Sequence, residues 1–113
     1  MTLADELALI PGRVRTGCAR LDMVYGHAWV WKVDLQRLNM FTTADDIGGQ
    51  LYGTCENALA ALGFKDRGFT HGMSIENPDA QYSTAGITIC FEALTTAWFR
   101  RIVDLRSQRL HLQ

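Results

Sequence analysis

The sequence predicts a small, mainly α-helical single domain spanning residues 1–113. Three observations carry that expectation. Apolar residues recur at intervals of three and four toward both ends of the chain, which is the rhythm of one buried helical face. Hydroxyl residues stand as helix start signals at Thr43 and Thr54. Glycines close helical stretches at Gly26 and Gly63, as C-terminal caps do. A chain of this length supports one core and no second.

Taken in order, Leu3, Leu7 and Ile10 share a helical face, and Thr2 with Asp5 resembles a start signal. Pro11-Gly12 is expected to stop or sharply kink that helix, because proline lacks the N–H and crowds the preceding turn. The rhythm resumes at Val14, Cys18, Leu21 and Tyr25, which predicts a second helix over about residues 13–25. Trp29, Trp31 and Val33 then alternate, predicting a short strand around residues 28–33 or an extended aromatic segment. Asp34 is placed to cap a turn through Leu35 to Leu38. Thr43, followed by Asp45 and Asp46, opens a helix that stays short, since Gly48, Gly49 and Gly53 each weaken it by about 1 kcal/mol relative to alanine.

Thr54 caps a further helix, Cys55 to Leu62, closed by Gly63 with Phe64 in contact just beyond. Lys65 to Thr84 is rich in Gly, Asn, Asp and Ser and reads mostly as loop. Its length suits a functional loop or a segment exchanged between copies. Phe91, Leu94, Trp98, Ile102 and Leu105 mark a long amphipathic helix reaching about Arg109. Ile87, Ile89 and Phe91 also alternate, so a short strand around residues 86–90 is expected before it.

Composition narrows the function classes. The chain is 48% apolar and 20% charged with a net charge of −1, which excludes a disordered tail and a generally basic nucleic-acid binder. Its longest uncharged stretch, Ala80 to Phe91, falls short of the roughly 20 residues that span a bilayer. Asp5 and Glu6 occupy the place where a secretory signal needs positive charge. Cys18, Cys55 and Cys90 are an odd, widely spaced set with no CxxC pair, so three reduced thiols in a cytoplasmic protein are expected.

Several short motifs occur in a fixed order: Val33-Asp34-Leu35, Leu38-Asn39-Met40, the run Asp46 to Gly53, Ala61 to Phe64, His71-Gly72, and Ala93 to Trp98. They mark a match that covers about two thirds of the chain. The chain resembles small hypothetical proteins of bacteriophages, actinobacteria and other mobile DNA. In these a tract reading roughly C-[IV]-L-G-Q-L-[YF]-G precedes a closing L-T-x-x-W helix with basic residues. The resemblance implies a protein of the mobile gene pool and assigns it no chemistry. Asp46 and Gly48 stand here where that group carries cysteine and leucine, so no role for that cysteine carries over.

Gly49 to Gly53 admits two readings. Its glycines admit a close-approaching ligand with Gln50 and Tyr52 as hydrogen-bonding handles, or they permit close helix packing and a sharp turn. Cys55 stands in the first turn of a helix, where the dipole favours the thiolate, and His71 is its candidate base. Asp46 and Glu56 oppose that by raising the thiol pKa, so a structural cysteine is the favoured reading. No metal-binding spacing, phosphate loop or cofactor motif is present. Asp45 and Asp46 lie about 100° apart around a helix and suit capping.

Charge is uneven. Residues 34–79 carry seven acids against three bases, while residues 80–113 carry four arginines against two acids. Arg100, Arg101, Arg106 and Arg109 offer contacts to phosphates or an acidic partner, or form helical ion pairs with Asp104. Eleven aromatic residues exceed what four helical turns enclose. Phe99 must leave the stripe that Trp98 occupies, and Trp29 and Trp31 share a side if extended. The leading expectation is therefore a cytoplasmic binding or interaction module that self-associates, with contacts at Trp29, Trp31, Gln50, Tyr52, Phe99, Arg100 and Arg101. The alternatives are a small enzyme or ligand-binding protein with a site near Gln50, Tyr52, Cys55 and His71, and a nucleic-acid-associated regulator using the C-terminal arginines. A protein or small-molecule partner is compatible with the first.

Overall fold

The structure, a computed structural model, describes residues 2–64, 66–75 and 83–111. Its elements are α1 (Leu3–Val24), α2 (Trp29–Lys32), α3 (Ile47–Tyr52), α4 (Cys55–Leu62), a 3₁₀ segment (Asp66–His71) and α5 (Thr84–His111). The architecture is mainly α, as predicted, with no strand among the described residues.

α1 begins with a reciprocal cap. Thr2 Oγ1 accepts from the Asp5 amide at 3.1 Å, and Asp5 Oδ2 accepts from the Thr2 amide at 3.0 Å. The expected break at Pro11-Gly12 does not occur, and one helix runs from Leu3 to Val24. Burial explains the difference. Glu6, Ile10, Val14, Gly17, Cys18 and Leu21 stay on one buried face across the proline, whose ring points outward. Packing of that face against α5 offsets the roughly 3 kcal/mol that an interior proline costs.

α1 and α5 run in the same direction. Gly17 lies against Trp98, and farther along both helices Arg109 reaches Asp22. The 3₁₀ segment and the turn after it are pressed into α1. A Cβ on Gly17 would lie 2.0 Å from the His71 carbonyl oxygen, so only glycine fits there. The expected loop over Lys65 to Thr84 thus includes one ordered piece; Lys65 and residues 76–82 lie outside the described residues.

The strand expected around residues 28–33 is the single helical turn α2. Gly26 (φ +101°) ends the approach from α1, and contacts to Trp98, Asp22 and Arg106 then fix the turn. Trp29 is fully buried edge-on to Trp98, with ring centroids 6.0 Å apart, and its indole N–H donates to Asp22 at 2.7 Å. Arg106 of α5 donates to the carbonyls of Val30 and Val33 at 2.7 and 2.6 Å, closing the carboxyl end of the turn. Helical geometry puts Trp29 inside and leaves Trp31 outside, so the two do not share a side. Arg106→Ala is expected to cost about 3 kcal/mol, because it removes two charge-assisted hydrogen bonds and leaves two carbonyls unmet. Urea unfolding of the variant beside the parent chain measures it.

α4 matches its prediction closely. Thr54 Oγ1 accepts from Asn57, Gly63 adopts φ +71°, and the Phe64 amide bonds back to Leu59. α3 begins later than expected, since Asp46 is its cap and not Thr43. The strand expected around residues 86–90 is the first part of α5, whose start is held by the Ser83 hydroxyl accepting from the Gly86 amide at 3.1 Å. Leu94, Trp98, Ile102 and Leu105 form its buried face, as the spacing predicts, while Phe91 is half-buried against Phe41.

Candidate functional site

The Gly49–Gly53 tract is used up by the fold. A Cβ on Gly48 would lie 2.8 Å from that of Ala58, and one on Gly49 would lie 2.1 Å from the Thr43 carbonyl oxygen. Gly53 takes φ +87° to turn α3 into α4. Gln50 is a staple: its amide oxygen accepts from the Asp34 amide at 2.6 Å, while its NH₂ donates to the carbonyls of Asp34 and Asp45 at 3.1 and 3.0 Å. The two bonds to Asp34 tie its turn to α3, and the third holds the residue before the α3 cap. Tyr52 packs edge-on to Tyr25 at 5.7 Å, and its hydroxyl is buried with no hydrogen-bond partner among the described residues.

Asp46 and Cys55 meet across the α3–α4 junction. Asp46 is buried, accepts from the Gly49 amide and is hydrogen-bonded by the Cys55 thiol. Burial pushes its carboxyl pKa up to about 6. Burial, and then the Asp46 charge, push the Cys55 thiol up to about 11, so the thiol holds its proton at neutral pH. The pair borders a half-open pocket of about 190 Å³ whose lining includes Met40, Met73 and Phe91. His71 is engaged elsewhere. It stacks on Phe64 with centroids 4.2 Å apart, and its Nδ1 lies 3.1 Å from the Thr70 hydroxyl. The geometry therefore gives Cys55 a carboxylate neighbour and gives His71 an aromatic one.

Asp46 makes stability depend on pH with a definite sign. Its folded pKa lies above the ordinary 3.8, so the folded state takes up a proton more readily than the unfolded chain. Stability falls as pH rises from about 4 to about 6 and is level above. Asp46→Asn keeps a good helix cap without the buried charge. The variant is expected to gain about 1–2 kcal/mol over the parent at pH 8 and nothing at pH 3.5, read from urea midpoints at the two pH values.

The arginines of α5 divide into two groups. Arg106 and Arg109 are structural: besides the α2 carbonyls, Arg109 binds Asp22 Oδ1 and Oδ2 at 2.8 and 2.9 Å and the His27 carbonyl at 2.7 Å. Arg100 and Arg101 make no ion pair among the described residues, and the helical pairs expected with Asp104 are not formed. Together with Ala93, Ala97 and Arg15 they line a groove of about 490 Å³ between α1 and α5.

The outer side of α5 carries apolar residues at the same spacing as its core. Phe99, Val103 and Leu110 are 44%, 43% and 60% exposed, and Trp31 (44% exposed) lies beside them under the Arg106 guanidinium at 5.5 Å. Of the residues expected to make contacts, Trp31, Phe99 and Arg100 are thus exposed on or beside this face, while Trp29 is corrected to the core and Gln50 lies in a different part of the fold. Val103, Leu110 and Arg15 were not foreseen. The spacings of four and eleven residues from Phe99 were the available signal for the first two.

Fold and surface together define a class: a small, mainly α domain with an exposed apolar face on its last helix and an adjoining cationic groove. No protein-family model matches the chain, and no curated protein or solved structure matches it.

Proposed function

We propose that this is a cytoplasmic interaction module of the mobile gene pool that acts as a homo-oligomer through the outer face of α5. The observation that carries the reading is the exposed stripe of Phe99, Val103 and Leu110 with Trp31 at its edge. Large apolar side chains grouped on one helix face lose water only when a second surface covers them. Aromatic anchors of this kind dominate the energy of interfaces. The resemblance of the ordered motifs to those of small phage and actinobacterial proteins is what suggests the mobile-gene-pool origin. The three cysteines are free, and no helix among the described residues is long and apolar enough to cross a membrane. Both suit a reducing aqueous compartment.

Native mass spectrometry and sedimentation velocity test the reading. The parent chain is expected to be a multimer at micromolar concentration. A Phe99→Glu, Val103→Glu double variant is expected to be monomeric with an unchanged circular dichroism spectrum, because both positions are exposed. A monomeric parent, or a variant whose assembly persists, overturns the proposal.

A further inference from the structure

We propose that the groove between α1 and α5 is a binding site for a small amphiphilic anion, an alkyl chain ending in a carboxylate. Its volume of about 490 Å³ lies within the ~300–1,000 Å³ range of small-molecule pockets. Its lining is graded from one end to the other. Because α1 and α5 run parallel, their earlier residues meet at one end of the groove and their later residues at the other. Leu7, Ile10 and Ala93 make an apolar end, and Arg15, Arg100 and Arg101 with Asp104 make the other end, which is net cationic. From Leu7 to Arg15 the helix rises about 12 Å, the scale of a medium-length alkyl chain.

Charge selects the headgroup. None of the three guanidiniums is ion-paired among the described residues, and Asp104 is the one acid in the lining. Arg101 is the inward member of the three: its side chain is hydrogen-bonded with the Cys18 thiol, and its buried Nε has no partner among the described residues, so Arg15 and Arg100 are the guanidiniums open to a headgroup. A planar carboxylate suits guanidinium donors, which bind it through parallel hydrogen bonds. The tail follows from the lining: Leu7, Ile10 and Ala93 offer an alkyl chain an apolar path along the packed helices. The site does not rest on self-association, since Phe99 and Val103 lie on the neighbouring side of α5 and do not line it.

Sodium decanoate is the probe, titrated into the full chain by calorimetry and followed by amide NMR. One saturable site is expected, with the largest shifts in Ile10–Arg15 and Ala97–Arg101. Decanol, with the same tail and no charge, is expected to bind at least tenfold more weakly. Arg15→Ala and Arg100→Ala replace exposed, unpaired side chains, so the fold is kept; each is expected to lower decanoate affinity about tenfold. Ala97→Leu narrows the middle of the groove and is expected to abolish binding, and the arginine variants decide the matter if that variant does not fold. Non-saturable uptake, equal affinity for decanol, unchanged affinity in both arginine variants, or shifts centred on Phe99 and Val103 would each overturn the proposal.

Discussion

Trp98→Ala is expected to bring the domain to the edge of unfolding. Trp98 is fully buried, meets Trp29 edge-on, touches Gly17 of α1, and donates its indole N–H to the Gly72 carbonyl at 2.7 Å. One side chain thereby joins α1, α2, α5 and the turn after the 3₁₀ segment. Truncation leaves a cavity costing about 3–5 kcal/mol and an unmet buried carbonyl costing about 1–3 kcal/mol more. Domains of this size are stable by about 5–15 kcal/mol, so the loss consumes most of the margin. The expected result is a loss of the near-ultraviolet circular dichroism signal and a urea midpoint close to zero. Trp98→Phe retains much of the ring volume but not the N–H, and is expected to lose about half as much. An alanine variant within 1 kcal/mol of the parent would refute this account of the core.

Glu6→Ala is expected to cost about 3–5 kcal/mol, the usual penalty for removing one partner of a buried ion pair. Glu6 has no exposed surface and sits on the same face of α1 as Ile10 and Val14, with Arg13 Nη1 2.7 Å from its carboxylate. The Arg13 guanidinium also lies over the Phe69 ring at 5.3 Å, so it ties α1 to the 3₁₀ segment. Deleting the carboxylate leaves a largely buried cation without that neighbour. A Glu6→Met, Arg13→Met double variant is expected to lose less than the sum of the two single replacements, since both charges leave together. Urea unfolding of all four chains measures the coupling, and simple additivity would show that the pair contributes nothing beyond packing.

These residues mark the boundary between what was legible and what was not. The Thr2–Asp5 cap, the Thr54–Gly63 helix and the buried stripe from Leu94 to Leu105 were readable because each depends on neighbours within one or two turns. The GQLYG tract was readable in part: its glycines declared close packing, but the Gln50 staple needs Asp34, sixteen residues away. The candidate contact face was announced by Trp31, Arg100 and above all Phe99, whose neighbour Trp98 already claimed the core side. The groove beside it was invisible, because Arg15 and Arg100 come together only when α1 and α5 align.

By itself the sequence determined a mainly α domain, its caps, and the inward face of its last helix. These follow from hydrogen bonds and periodicity that act over a few residues. Tertiary structure alone decided that α1 continues through Pro11, that the Trp29–Val33 segment coils, and that residues 86–90 open α5. In each case a locally unfavourable or ambiguous conformation is selected by burial and by distant partners: α5 against α1, Arg106 on two α2-end carbonyls, and Cys90 in the core. Local propensities differ by about 1 kcal/mol per residue, and burying one large side chain is worth about twice that, so long-range packing prevails where the two disagree.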